Sequence, residues 1–307
     1  MTKIAFVFPG QGSQAVGMGK DLYDSVPQAR KVFDAADEIL GFPLSRLCFE
    51  GPEDVLKLTI NTQPALFTTS VAALRMVERD GMSPALAAGH SVGEYAALVA
   101  AGALSFEDGL TLVRRRAELM HEASLAHPGS MAAIIGLDAE KVRAACDRAC
   151  NIGIVDAANY NSPGQIVISG EVKAVEAAGI YAKEAGAKRV LPLNVSGAFH
   201  SRLMEPAAKL LAELLTSVPF TDPLIPVVAN ATAAPVRTAD EIRDALARQI
   251  AGSVRWEESI DWMSKDGVDL FVEIGPGKVL AGLIKRILNS VEVRSIGDAE
   301  GLGEVRS

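Results

Sequence analysis

The chain is short of several residue types, and each shortage removes a class of explanation. It has only three cysteines in 307 residues. A small, odd number of cysteines provides no disulfide framework. Cys146 and Cys150 lie one helical turn apart, but no histidine pair accompanies them as zinc ligands, so buried free thiols and no metal are expected. No apolar run reaches the ~20 residues that a bilayer crossing needs, although mean hydropathy is positive. The first residues lack a charged start with a small-residue cleavage site and lead directly into a strand-like run. A cytoplasmic protein is the expectation. Basic residues are outnumbered, 30 Lys and Arg against 38 Asp and Glu, for a net charge of −8. That argues against wholesale nucleic-acid binding and obliges any acidic partner to find a local basic patch. The glycines of Pro9-Gly10-Gln11-Gly12-Ser13 do not complete G-x-G-x-x-G, so no dinucleotide cofactor is implied, and no other cofactor is expected. Internal repeats and low-complexity tracts are absent.

What the chain does have is apolar substance, 49% of its residues. That suits one large domain, or a large one with an insert. The informative stretch is Ala85 to Ala101, ALAAGHSVGEYAALVAA. A short apolar run is followed by helix formers, with Gly89-His90-Ser91-Val92-Gly93 between them. This is G-x-S-x-G at a strand-to-helix corner, the context the pattern requires. Small flanking residues let strand and helix pass closely. Ser91 then sits at a helix N-terminus, where free N–H groups and the helix dipole favour developing negative charge. A glycine-flanked turn with a capping serine would look the same in isolation.

The rest of the chain alternates between strand and helix. Lys3 to Phe8 reads as a buried strand ending in the Pro9–Ser13 loop, whose glycines let N–H groups point at an anion. Pro27–Leu40, Asn61–Asp80 and Ser105–Ser124 read as helices. From Met131 to Leu193 the order becomes β-α-β-β-α-β, the split βαβ arrangement, with a turn at Asn161-Ser162-Pro163-Gly164. This segment is expected to be a small inserted domain, residues 126–195. The large domain takes residues 1–125 and 196–307. Helices are expected to Ser217, over Ala239–Ala251 and Trp256–Lys265, and through Lys285 and Arg286. Strands are expected at Leu224–Ala229 and, last, at Asp269–Ile274. The segment after Ser295 shows little pattern and is expected to be mobile. Strands alternating with helices imply an α/β fold, with a mostly parallel sheet covered on both faces.

The third helix holds an anomaly. Leu112, Leu119 and Met120 share one face, and Arg116 lies among them. Arg114 and Arg115 point elsewhere and can pair with Glu118. An inward guanidinium needs an anion or several acceptors, unless it snorkels or is paired structurally. A nucleophilic serine also needs a base, and there are only four histidines. His90 adjoins Ser91 on a sharp corner, so its side chain should point away. His121 and His127 bracket the end of the arginine helix and fit surface or capping roles. His200, in a small-residue turn between a strand and a helix, ranks first. No Asp or Glu stands at a convincing strand end as third member; a backbone carbonyl can hold the imidazole tautomer instead.

Gly89-His90-Ser91-Val92-Gly93-Glu94-Tyr95 resembles the nucleophile motif of malonyl-CoA:acyl carrier protein transacylases. The similarity continues through Pro9–Ser13, Thr62-Gln63-Pro64-Ala65, Asn161–Gln165, Gly197-Ala198-Phe199-His200-Ser201 and Glu273-Ile274-Gly275-Pro276-Gly277. These motifs span nearly the whole chain in the family's order. The resemblance implies an α/β-hydrolase-like large domain with a ferredoxin-like small domain inserted. It implies Ser91 as the acylated nucleophile and His200 as base, with Gln249 orienting His200 through its main-chain carbonyl. Gln11 and Val92 would supply the oxyanion N–H groups, and Arg116 would clamp the malonyl carboxylate. Phe199 resembles the malonyl-selective members, since those using methylmalonyl tend to carry Ser there. Val92 departs from the common Leu, with the same backbone N–H.

The expected activity is malonyl transfer from malonyl-CoA to the phosphopantetheine thiol of acyl carrier protein, through a malonyl-serine, in fatty acid biosynthesis. A serine esterase or thioesterase would hand the same intermediate to water. A non-catalytic carrier-binding subunit would not need Ser91, His200 and Arg116 together. Carrier proteins of this family are acidic, and Lys188, Arg189, Lys285 and Arg286 are the basic pairs expected to meet one.

Overall fold

Ten strands form among the described residues: β1 (Ile4–Phe8), β2 (Leu86–Gly89), β3 (Ser130–Ile135), β4 (Val155–Ser162), β5 (Gln165–Gly170), β6 (Arg189–Pro192), β7 (Val227–Ala229), β8 (Ala234–Val236), β9 (Leu270–Ile274) and β10 (Glu292–Ile296). The structure is a computed structural model and describes residues 2–195 and 197–301. Six strands make one sheet in the order β10-β9-β1-β2-β7-β8. All its pairings are parallel except β7 with β8.

The central strands are apolar on both faces because both faces are covered. Phe6, Phe8, Ala87, Val227, Val272 and Ile274 point into one core. That core is shared with the helices Pro27–Leu40, Thr59–Arg79, Gly93–Ala100, Phe106–Ala126, Glu205–Leu215 and Ala239–Gln249. The alternate residues Ala5, Val7, Leu86, Ala88, Val228 and Phe271 point into another, with Trp256, Ile260, Leu283 and Ile284 from the helices Trp256–Lys265 and Val279–Ile287. The side-chain period of two produces this split.

The second sheet runs β4-β5-β3-β6 and is antiparallel throughout. With the helices Ala139–Ala149 and Val172–Glu184 it has the strand order of a ferredoxin-like unit. Ala132, Ile134, Ile166 and Ile168 face those helices. Met131, Ala133 and Val167 face the large core, so this sheet too is covered on both sides. Residues 126–195 carry these elements. Of the span expected for the large domain, Met1, Ser196 and residues 302–307 lie outside the described residues.

The structure differs from the sequence expectations in several places. Cys146 is buried, but Cys150 is exposed, because it falls just past the end of the Ala139–Ala149 helix. The strand expected at Leu224–Ala229 shortens to β7, because Pro226 has no N–H for the ladder and Leu224 is exposed. Asp269–Ile274 is not the last strand: β10 pairs along β9 from Glu292 to Ile296, and only Ile296 of it falls in the stretch of weak pattern after Ser295. Sequence pattern shows few ties between the insert and its flanks, yet the fold has several. Tyr160 N–H donates to Val254 O at 2.9 Å, Val254 N–H donates to Ala158 O at 2.8 Å, and Arg286 donates to Gln165 Oε1 at 2.6 Å. Among the described residues no helix is long and apolar enough to cross a membrane.

Close packing at the Ser91 corner yields the first prediction. A Cβ on Gly93 would lie 2.2 Å from the Phe8 carbonyl oxygen and 2.8 Å from that of Pro9. Gly282, inside the last helix, has open space. Gly93→Ala is expected to destabilise the fold by about 2 kcal/mol or more, while Gly282→Ala stabilises it by about 0.5 to 1 kcal/mol. Urea unfolding of both variants measures this. A Gly93→Ala protein as stable as wild type would contradict the packing described.

Candidate active site

β1 and β2 end side by side, with Phe8 paired to Gly89, so their following loops share one end of the sheet. The corner after β2 has no room for side chains at its glycines: a Cβ on Gly89 would lie 2.0 Å from the Gly93 carbonyl. Ser91 adopts φ 52°, left-handed backbone that costs a non-glycine residue about 1 to 3 kcal/mol. Surrounding bonds hold it there. Its N–H donates to Asn230 Oδ1 at 2.7 Å, and its carbonyl accepts from Gln249 Nε2 at 3.0 Å. His200 is likewise left-handed, at φ 58°.

The two meet. Ser91 Oγ and His200 Nε2 are 2.8 Å apart. The other ring nitrogen, Nδ1, lies 2.9 Å from Gln249 O and 3.2 Å from Gly252 O. Carbonyl oxygens only accept, so Nδ1 carries the proton and Nε2 is free to receive one from Ser91. Burial, helped by the nearby Arg116 charge, pushes the His200 pKa down to about 3. The imidazole is therefore neutral at physiological pH, as a base must be.

The N–H groups at the corner can be followed one by one. Ser91 donates to Asn230, Gly93 to His90 O, Glu94 to Ser91 O and Tyr95 to Val92 O. Val92 is left without such an acceptor among the described residues. The loop after β1 contributes Gln11. Both line one cavity of about 150 Å³ with Ser91, Arg116, Phe199 and His200. That is room for roughly five waters, enough for a short acyl group and too little for a long chain. Gln63, Met120, Met131, Val167 and Leu193 complete most of its wall.

Arg116 is 1% exposed. Its Nη2 donates to Ser91 Oγ at 3.1 Å and to Gln249 Oε1 at 3.0 Å, and its Nη1 donates to Gln63 Oε1. Its carbon Cζ lies 5.6 Å from the centre of the Tyr95 ring. Burial lowers its pKa. Arg114 and Arg115 pair with Glu118, as the helix spacing suggests. So the guanidinium is placed beside the serine hydroxyl among neutral partners and lines the cavity, with its buried Nε unpartnered among the described residues.

The other histidines take the places expected of them, with one refinement. His90 bonds to Asn161 Oδ1 at 2.9 Å and sits beside Trp256, yet it also lines the cavity. His127 closes the Phe106–Ala126 helix. The basic pairs lie away from the cavity lining, but contacts chain them together. Lys188 packs on Gly136, Gly136 N–H donates to Gly164 O, and the next residue, Gln165, accepts from Arg286. Lys188, Arg189, Lys285 and Arg286 are all exposed. Sequence pattern assigns no role to Gln63, Glu94 or Asn230, all three buried at the site. Glu94 precedes an apolar run, Tyr95 to Ala101, but reads as a first-turn acid, and Gln63 follows the polar residues Asn61 and Thr62, so neither stands out as Arg116 does.

Comparison with known proteins adds independent findings. The family model for the acyl transferase domain matches residues 5–306. The malonyl CoA-acyl carrier protein transacylase of Bacillus subtilis (strain 168) is 51% identical over 301 residues, 98% of this chain and 95% of that one. An acyl carrier protein S-malonyltransferase from Vibrio cholerae superposes with a TM-score of 0.96 at 46% identity, covering 99% of this chain and 100% of that one. A malonyl-transacylase solved in complex with its type II PKS acyl-carrier protein superposes at 0.95 and 46% identity, covering 98% of each chain.

The tautomer and the depressed pKa generate a prediction. Titration of the ¹⁵N-histidine-labelled protein by NMR should find His200 neutral, protonated at Nδ1, from pH 8 down to pH 5. A midpoint near the ordinary histidine value of about 6.5 would contradict the buried, arginine-flanked environment.

Proposed function

The chain belongs to the malonyl CoA-acyl carrier protein transacylase family, and on that footing we propose that its Ser91 centre carries malonyl from malonyl-CoA to the phosphopantetheine thiol of acyl carrier protein. Ser91 Oγ attacks the thioester carbonyl as His200 Nε2 takes its proton. The oxyanion that forms is met by the N–H groups of Val92 and Gln11. Collapse expels the coenzyme A thiol, which takes the proton back from His200, and leaves a malonyl ester on Ser91. The carrier thiol then attacks that ester with the same base, and Ser91 is restored. General-base help of this kind is typically worth about 10² to 10⁴ in rate.

The observation that carries the reading is the buried Arg116 guanidinium 3.1 Å from Ser91 Oγ. An acyl group that ends in a carboxylate supplies the anion this charge lacks. Two parallel N–H···O bonds to that carboxylate favour malonyl over acetyl. Phe199 closes the wall beside it and limits branching at the acyl carbon. Gln249 holds the His200 ring by its main-chain carbonyl, so the pair works without an acidic third member. We place the activity in the cytoplasm, feeding fatty acid biosynthesis; the free cysteines Cys48, Cys146 and Cys150 suit a reducing compartment.

The carrier docks on the basic edge formed by Lys188, Arg189, Lys285 and Arg286. The contacts through Gly136, Gly164 and Gln165 make the two pairs one patch, which an acidic carrier can use despite the net charge of −8.

Intact-mass spectrometry tests the chemistry. Malonyl-CoA should add one malonyl group to the wild type, acyl carrier protein should remove it as malonyl-carrier, and Ser91→Ala should take up none. An adduct that persists in Ser91→Ala, or free malonate in place of malonyl-carrier, would contradict the reading. For docking, charge reversal at Lys285 and Arg286 should raise the KM for carrier several-fold at low ionic strength and less in high salt. An unaltered carrier KM would remove this pair from the interface.

A further inference from the structure

Glu94 takes no part in the chemistry above, yet it is 2% exposed and three residues from the nucleophile, on the first turn of the Gly93–Ala100 helix. Its Oε2 accepts from Asn230 N–H at 2.9 Å and from Gln249 Nε2 at 2.8 Å. A carboxylate can only accept. Glu94 Oε2 and Ser91 O both accept from the Gln249 NH₂, which leaves Oε1 facing the other way, 3.0 Å from Arg116 Nη2. The row reads carboxylate, amide, guanidinium, with the amide dipole aligned between the two charges. The hydrogen-bond partners of Arg116 (Gln63, Ser91 and Gln249) are all neutral. Burial pushes the Glu94 carboxyl up to about 7 and the Arg116 pKa down, and the attraction between the two groups opposes both shifts.

We propose that Glu94 is a positioning residue for substrate selection: it is the counter-charge behind Arg116 and, through the Gln249 amide, aims the guanidinium at the acyl carboxylate. The proposal rests on Arg116 receiving that carboxylate. It gives the last residues of the nucleophile motif a purpose. Tyr95 underlies Arg116 with its ring, while Glu94 sets the acceptor that Arg116 meets. The same Gln249 amide also donates to Ser91 O at 3.0 Å. One short segment thus positions the nucleophile and the selecting charge together. Replacing the carboxylate by an amide removes the charged one of the two acceptors that fix the Gln249 NH₂, leaving Ser91 O alone to oppose a reversal that would turn NH₂ against the guanidinium.

A double-mutant cycle tests this. kcat/KM is measured for malonyl-CoA and acetyl-CoA with wild type, Glu94→Gln, Arg116→Ala and the double variant. The malonyl-to-acetyl ratio cancels any loss that both substrates share. Glu94→Gln should lower that ratio roughly ten-fold in the wild-type background and by less than about two-fold in the Arg116→Ala background, because coupled residues are not additive. No change in the ratio, or the same fall in both backgrounds, would overturn the proposal. If Arg116→Ala itself leaves the ratio unchanged, the failure lies in the Arg116 reading, and the role of Glu94 falls with it. Should Glu94→Gln lack a cooperative thermal transition, Glu94→Asp carries the same test. It keeps the charge but withdraws it by one methylene, so the ratio should still fall, and still only when Arg116 is present.

Discussion

Arg116 brings a full positive charge to a place where 1% of its surface meets solvent, and the polar groups of the site are arranged around that fact. Removing a charge from water costs several kcal/mol even after relaxation, against a total stability of about 5 to 15 kcal/mol for a whole domain. The fold recovers part of that cost with acceptors drawn from distant segments. Gln63 comes from the Thr59–Arg79 helix, Gln249 from the end of the Ala239–Gln249 helix, and Ser91 from the corner after β2. None of them is charged. On the proposed reading, the deficit that remains is what favours a carboxylate-bearing acyl group over an uncharged one.

The second constraint is backbone strain. Ser91 and His200 are two of only three non-glycine residues with positive φ among the described residues, and they touch each other. Left-handed backbone at both lifts the reacting atoms out of their elements and towards one another. Hydrogen bonds hold each in place: Asn230 and Gln249 on either side of Ser91, and two backbone carbonyls on the His200 ring. Gly10, Gly89 and Gly93 let the loops of β1 and β2 approach within van der Waals distance of the corner. The oxyanion role proposed for Val92 needs only its backbone N–H, which a Val side chain leaves unchanged.

Much of this is legible in the amino-acid sequence. Short continuous apolar runs place the strands β1, β2 and β9, and 3.6-period patterns place the long helices, within a residue or two. The split βαβ segment, Ser91 at its corner and Arg116 on an apolar face all follow from pattern and burial cost. His200 follows from elimination among four histidines. What the sequence does not resolve has physical causes. β8 is three residues long, and β10 is an edge strand covered on one side, with only Ile296 fully buried, so neither carries a periodic signal. Asn230 ends β7 and acts through a side chain that reaches back to the corner, a contact 139 residues apart in sequence. Glu94 looks like an ordinary first-turn acid favoured by the helix dipole until Gln249 is seen against it.

In the proposed acyl-enzyme, a carboxylate meets the buried guanidinium while the other end of the acyl group is esterified to Ser91. A crystal structure of the malonyl-enzyme, trapped by soaking malonyl-CoA without carrier, tests that arrangement directly. Both carboxylate oxygens are expected within about 2.7 to 3.2 Å of Arg116 nitrogens, with the ester carbonyl oxygen facing the N–H groups of Gln11 and Val92. A malonyl ester whose carboxylate turns to solvent, with Arg116 still bonded only to Gln63 and Gln249, would contradict it.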